Sequence, residues 1–370
     1  MVVVDPGFGR RMRELRGDLP YRALARLTNY SHTYLWEIET GRKPPTVDAA
    51  GRIDDALGTG GALARLVTDY ELPLDGDQQD RLRVVRAQPR RLDAATVDSL
   101  ATLLHHQRRL EDVAGSAPLL APVTAQLAVI ETLVGEAPDD GVRAATVRVG
   151  AQWAQFAGWL SGTTGDVAQG RAWYVRAMEW ASEVGDADMI ATALNMRGHL
   201  AWTCGQVRSL LALSEAAAWQ PAALAVRATA VQQQARAYAL LGDGPACDSR
   251  LDEAEDLSRR AAERPDELPP WLYFYDPDFL LLQRGLAQHY LGCHELAVDL
   301  LAAGLDRLPA EYRRSDWISW YVLQLAAAHA DAGDPDSAVD RLGEAQRIAD
   351  STGARRLAGD VDRLARRLVR

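Results

Sequence analysis

RALARLTNYSHTYLWEIETGRKPP, residues 22–45, carries the sharpest local signal in the chain. Small Ala25, then Asn29, then Leu35 and Ile38 are spaced so that two helices can cross closely around a tight turn. Asparagine tolerates the left-handed backbone that most residues resist, so Asn29 can turn the chain as a glycine would. Ser31 is a good N-cap for a helix over HTYLWEIE (32–39), and Gly41 a good stop for it. Working outward, FGRRMRELR (8–16) reads as a first helix. YRALARL (21–27) reads as a second, capped by Asp18 with Pro20 tolerated in its first turn. A fourth helix follows Pro44-Pro45, with Thr46 as its cap and Ile53 and Leu57 facing inward.

The chain has 370 residues, 48% of them hydrophobic, and a net charge of −10. That is enough for two or more units with their own cores. No run of about eighteen uncharged apolar residues is present, so no membrane span is expected. MVVVDPGFGRRMREL has three valines before an aspartate, far short of a signal-peptide core. Cys204, Cys247 and Cys293 stand too far apart for a metal pair and suit a reducing cytoplasm as small core residues. Lys43 is the only lysine, so a P-loop, a pyridoxal Schiff base and a lysine general base all lack their residue. G-x-S-x-G, H-E-x-x-H and C-x-x-C are absent, and adjacent His105 and His106 point apart on a helix. Neither catalytic residues, a metal site nor a cofactor is expected. Residues 1–60 hold nine Lys/Arg against eight Asp/Glu, while the rest is strongly acidic. Contact with nucleic acid would therefore be through the N-terminal end.

The spacing of Ala25, Asn29, Leu35 and Ile38, closed by Glu39-x-Gly41, resembles the helix-turn-helix of the phage-repressor (XRE-like) family over about residues 8–66. The resemblance implies that 31–39 is a recognition helix whose first turn enters the major groove of a double-stranded DNA operator. His32 and Thr33 then stand where the family reads base edges, with Glu37 one turn later. Tyr21, Arg22, Ser31, Tyr34, Arg42 and Lys43 stand where phosphates are held. Two residues depart from the pattern. Glu37 is acidic and suits the DNA only by accepting from a cytosine amino group, and Trp36 is large and apolar. The alternative is a helix-turn-helix that now mediates protein contacts, with Trp36 on its surface. A nearly balanced domain supplies little sequence-independent affinity, so two half-sites on a homodimer are expected.

Residues 67–95 read as a connector with a helical piece. Its Arg81, Arg83, Arg86, Arg90 and Arg91 form either a solvated face or a second phosphate contact. Beyond it, Gly165, Gly205, Gly242, Gly292 and Gly333 recur at intervals of 40, 37, 50 and 41. Small or apolar residues keep fixed offsets from them: Gly158, Gly198, Ala235, Gly285 and Ala326 seven before, and Ala177, Ala217, Ala254, Gly304 and Ala345 twelve after. Such spacing lets two helices pack closely around a turn and lets pairs stack. The pattern resembles the tetratricopeptide repeat over about 150–352, without that family's leading tryptophan. Residues 96–148 read as one or two further helical pairs. The expected architecture is all-α: a helix-turn-helix domain (1–66), the connector (67–95) and a tetratricopeptide-like solenoid (96–370).

In that family the first helix of each pair lines a concave groove. The corresponding positions here are Gln155, Asn195 and Gln232 at ten before the turn glycine. Trp159, His199 and Arg236 stand at six before, Trp202 and His289 at three before, and Phe279 and Trp320 at thirteen before. Amides interleaved with aromatics suit an extended peptide, whose backbone pairs with the amides; the plainer reading is a solvated or packed helix face. LPPWLYFYDPDFLLLQRG (268–285) falls in the longest interval, and its Trp271, Tyr273, Phe274 and Tyr275 form a lid, a dimer patch or a hydrophobic plug. The combination resembles the helix-turn-helix plus tetratricopeptide regulators of actinobacteria, and in layout the peptide-sensing regulators of Gram-positive bacteria. It implies a cytoplasmic transcription factor whose array senses a signalling peptide or small molecule. The alternatives are a constitutive regulator and a scaffold that binds a small protein partner.

Overall fold

The computed structural model describes residues 2–4, 8–43, 45–69, 74–308, 312, 315–352 and 355–368; Pro44 lies outside them. Helices dominate. β1 (Val2–Val4) is followed by α1 (Phe8–Arg16), α2 (Tyr21–Thr28), α3 (His32–Glu39) and α4 (Val47–Leu57), and then by β2 (Val67–Asp69). β1 and β2 pair antiparallel, Val3 opposite Thr68, so the otherwise helical architecture contains one short ribbon.

The turns of this first unit follow from its sequence. Asn29 adopts φ 58°, the one non-glycine residue with positive φ among those described. The Ser31 hydroxyl accepts from Tyr34 N at 3.1 Å and the Thr46 hydroxyl from Ala49 N at 3.0 Å. Asp18 does not cap α2. Pro20 occupies the N-cap and its carbonyl accepts from Ala23 and Leu24, so no side chain is needed there. Phe8, Met12, Leu24, Leu35, Ile38, Ile53 and Leu63 form the core, joined by Val67. Gly9 permits the crossing of α1 over the end of α3, because a Cβ there would lie 2.2 Å from the Glu39 carbonyl oxygen.

A second core begins at Leu74 and runs through the rest of the chain. α5 (Gly76–Ala87) leads to α6 (Ala94–Ala114) and α7 (Ala117–Glu136). Hairpins follow: α8 (Asp140–Thr163) with α9 (Val167–Glu183), α10 (Ala187–Thr203) with α11 (Val207–Ala218), and α12 (Leu224–Leu240) with α13 (Gly244–Ala262). Then come α14 (Pro277–Tyr290) with α15 (His294–Arg307), and α16 (Asp316–Asp331) with α17 (Pro335–Thr352). α18 (Arg355–Leu368) packs back on α16 and α17. α6 and α7 do not form a hairpin of this kind; each packs chiefly on α8, and the Trp153 indole of α8 donates to the Leu100 carbonyl of α6 at 3.2 Å.

The recurring glycines close these hairpins. Gly165, Gly205, Gly242, Gly292 and Gly333 all have φ between 73° and 99°, and Gly185 makes the same turn between α9 and α10. The next residue's N–H reaches back to a carbonyl five positions earlier, as from Asp166 to Ser161 at 2.8 Å, which satisfies the end of the helix. The aspartate after the glycine then caps the next helix: Asp166 accepts from Gln169 N, Asp186 from Met189 N, Asp243 from Ala246 N and Asp334 from Ser337 N. Where small residues keep their offset, the paired helices pack closely. A Cβ on Gly158 would lie 2.5 Å from the Tyr174 ring, and one on Gly304 would lie 2.7 Å from Leu282.

α7 is long and apolar enough to cross a membrane by length and composition. Its buried residues Leu119, Val123, Leu127, Ile130 and Leu133 make a single stripe facing the protein. On its outer side Glu131 pairs with Arg176 of α9 at 3.0 Å. In the connector, Arg81, Arg83 and Arg90 form exposed ion pairs with Asp93, Asp80 and Glu136.

Candidate functional site

On the first unit, His32 and Thr33 stand exposed at the start of α3, and Ser31 spends its hydroxyl on the cap. Tyr34 is half-buried, its ring 5.0 Å from that of Tyr30. Beyond the helix, Arg42 N and Lys43 N both donate to the Glu37 carbonyl, at 2.8 and 3.2 Å. Their side chains rest on aromatic faces: Arg42 lies 4.2 Å from the Trp36 ring centroid and the Lys43 ammonium 5.0 Å from that of Tyr34. Trp36 is thus half-buried beneath a guanidinium. The two charges stay exposed beside α3, while Glu37 is half-buried. Arg22 is exposed at the start of α2.

Tyr21 has a different environment. Its hydroxyl donates to Glu39 Oε1 at 2.7 Å, and the Arg16 guanidinium covers its ring at 4.3 Å. Glu39 is a buried hub that also accepts from Arg13 at 3.1 Å and from Arg16 at 2.8 and 2.9 Å. Burial alone would raise its pKa, but the hydrogen bonds from Arg16, Tyr21 and Arg13 outweigh it and hold the carboxyl below its ordinary range. This network ties α1 and α2 to the end of α3.

In the helical array, a cavity of about 230 Å³ opens on the face lined by the first helices of the pairs. Gln155, Trp159, Asn195, His199, Trp202, Gln232, Arg236, Phe279 and Trp320 line it, together with Trp271, Tyr273 and Tyr275 of the inserted segment. His289 does not. It lies at the far end of α14, with its Nδ1 3.3 Å from that of His294 and Asp331 beside them, although Trp202, at the same offset on α10, reaches the cavity. Among the described residues these three could hold a metal ion, but Asp331 is already ion-paired with Arg367.

The inserted segment folds inward. The Trp271 indole donates to the Thr192 hydroxyl at 3.0 Å and the Tyr273 hydroxyl to Asp112 at 2.8 Å, and Trp271, Leu272 and Tyr275 are buried. It therefore occupies part of the groove. Rings continue around the wall, with centroids at 5.8 Å for Trp159–His199, 5.0 Å for His199–Trp202 and 5.0 Å for Trp202–Trp320. The Arg236 guanidinium stacks on Trp202 at 4.5 Å and donates to Gln283 Oε1 at 2.6 Å, an oxygen that also accepts from Gln232 at 2.7 Å.

Several buried polar atoms on this wall make no hydrogen bond among the described residues: Asn195 Oδ1, Gln233 Oε1, the Tyr275 hydroxyl, and Nε and Nη1 of Arg236. A buried polar group without a partner is costly, and most such groups in proteins are satisfied. Arg108 is 4% exposed and donates at 3.3 Å to the Gln152 carbonyl and at 3.4 Å to Gln155; burial lowers its guanidinium to about 10. Sequence reasoning missed Arg108, Glu111 and Asp112 of α6, Trp317 and Tyr321 of α16, and Arg356 of α18, all of which line the cavity. The available signal was HHQRRLED (105–112), where charges interrupt the apolar stripe of a helix.

Residues 8–67 match the family described as a helix-turn-helix domain. The chain thus carries a helix-turn-helix domain, a DNA-binding class, followed by an all-helical, repeat-like body. No curated protein sequence matches it. Among solved structures it is similar to the crystal structure of BtubC (BKLC) from P. vanneervenii, at 16% identity and a TM-score of 0.41, covering 63% of this chain and 91% of that one. It is also similar to aspartyl phosphate phosphatase F from Bacillus subtilis, at 11% identity and a TM-score of 0.41, covering 92% and 93%.

Proposed function

We propose that this protein is a cytoplasmic, sequence-specific DNA-binding regulator whose helical array binds a ligand and sets the geometry of two helix-turn-helix domains in a homodimer. The observation that carries the reading is an aromatic cavity with unpartnered buried polar atoms, in the same chain as a helix-turn-helix domain whose Arg42 and Lys43 stand exposed beside the recognition helix. A scaffold for a protein partner calls for a broad charged groove. This groove is narrowed by the inserted segment and walled by rings, which supports a sensor.

In this reading α3 docks in the major groove, with His32, Thr33 and Glu37 toward base edges. Arg42, Lys43 and Arg22 meet phosphates, as do Ser31 and Tyr34. The Tyr21 hydroxyl serves Glu39, so Tyr21 offers the DNA only its half-exposed flank. The ligand must bind one curvature of the array more tightly than another, since equal affinity shifts nothing.

The test is a mobility shift of the purified chain on its own upstream DNA at two salt concentrations, with and without cell extract. A specific shift that the extract alters is the expected result. A specific shift that never responds would replace the sensor with a constitutive regulator, and no specific shift on any operator tried would favour the scaffold.

A further inference from the structure

The cavity wall carries charges of both signs. The carboxylates of α6 are committed. Asp112 accepts from the Tyr273 hydroxyl and from the Trp317 indole at 3.2 Å, and Glu111 accepts from the Trp159 indole at 3.0 Å and the Ser116 hydroxyl at 2.7 Å. Arg236 of α12 and Arg356 of α18 also line it, neither in an ion pair among the described residues, and both act on His199. The third acid on the wall, Asp360, is paired with Arg363. His199, half-buried between Trp159 and Trp202, feels both arginines. Burial, then the charges of Arg236 and Arg356, hold its imidazole well below the ordinary pKa and so neutral.

Arg236 is placed rather than satisfied. Stacking on Trp202 and the bond to Gln283 fix its plane, yet Nε and Nη1 make no hydrogen bond. The unused N–H groups of a guanidinium fixed in this way lie on different edges, and their natural complement is an anion that offers acceptor oxygens. The space beside it is small: about 230 Å³ lies below the roughly 300–1,000 Å³ of sites for drug-sized ligands. The inserted segment already occupies part of the groove along which an extended peptide would run.

We propose that the cavity binds a small aromatic carboxylate, its ring against Trp202 and Trp320 and its carboxylate bridging Arg236 and Arg356. This rests on reading the cavity as the ligand site, and it names the ligand's class. It also supplies a source of coupling. Arg356 belongs to the last helix and Arg236 to the middle of the array, so an anion between them favours the arrangement in which α18 is closed on the groove.

The experiment is calorimetric titration of the full chain, without DNA, with phenylacetate, 3-phenylpropionate and indole-3-acetate, with the amide of each, and with phenyl phosphate. The expected result is that at least one acid binds with a dissociation constant near or below about 1 mM. Its amide then binds at least about tenfold more weakly, and Arg236→Gln and Arg356→Gln each weaken the acid by about tenfold or more. Absence of binding by every acid overturns the proposal, as does an amide that binds as tightly as its acid. Phenyl phosphate binding more tightly than every acid would replace the carboxylate by a phosphate. The acid–amide comparison uses the unaltered chain, so a variant that fails to fold does not rescue the idea. A chain that binds acids and never shifts DNA would fail as a regulator and keep this site; one that shifts DNA and binds no acid would do the reverse.

Discussion

Glu39 closes α3, and its carboxylate joins three elements through Arg13, Arg16 and Tyr21. Removing one member of a buried ion pair strands the others, at about 3–5 kcal/mol. Glu39→Gln keeps the shape and loses the charge, so hydrogen exchange in peptides from 8–57 of the full chain should rise sharply. Unchanged protection would make the network incidental. The pH dependence has a definite sign. The folded-state pKa of Glu39 lies below its ordinary value, so its contribution is fully present above the ordinary value and is lost as pH falls through the lower, folded-state one. Protection factors, with the intrinsic pH dependence of exchange divided out, should therefore fall on acidification in the wild type and change much less in Glu39→Gln. Arg42 and Lys43 belong to this scale too. Each phosphate contact contributes about 0.9 to the salt slope, so replacing both by alanine should flatten it by about 1.8 and weaken all DNA sequences evenly. A slope that stays the same would remove them from the interface.

The hairpin turns separate two jobs that glycine does. Gly165 has φ 99° with open space around it, so Gly165→Ala meets only a backbone penalty of about 1–2 kcal/mol. Gly158 sits inside α8 with helical backbone, and a Cβ there would overlap the ring of fully buried Tyr174. Overpacking typically costs about 1–3 kcal/mol, and more where nothing yields. Gly158→Ala should therefore lower the midpoint of urea unfolding more than Gly165→Ala does; the reverse order would show that α8 and α9 slide apart freely. Both glycines stand out in the sequence, one by its interval and one by its offset. Gly185 makes the same turn and escaped the interval reading because it closes the gap between pairs.

At the scale of the whole molecule, the inserted segment decides what the groove can hold. Tyr273 and Trp271 tie it to α6 and α10 across 161 and 79 positions of sequence. Tyr273→Phe leaves Asp112 one donor short, a loss of about 1–2 kcal/mol, and should speed hydrogen exchange in 268–276 while leaving α14 protected. Equal protection in wild type and variant would mean that packing alone holds the segment. Asn195→Ala tests the groove itself. It should reduce the response to ligand and leave DNA affinity without ligand intact, whereas unfolding would make Asn195 a packing residue.

The order of elements was legible in the sequence because each rests on local physics: a left-handed Asn29, serine and threonine caps, glycine–aspartate turns, and small residues at fixed offsets. The groove-facing positions of α8, α10, α12 and α16 were legible for the same reason, since a repeat carries its register in its spacing. Register ran out at His289, which keeps the spacing and lies beyond the cavity. The end walls were decided only by tertiary structure. Arg108 and Asp112 enter from a helix that packs chiefly on α8, two elements on, and Arg356 enters from the helix that closes the array. The inward fold of 271–275 was likewise left open between lid, dimer patch and plug. Its partners lie far away in the chain, and only long-range packing brings an indole to Thr192 and a phenol to Asp112.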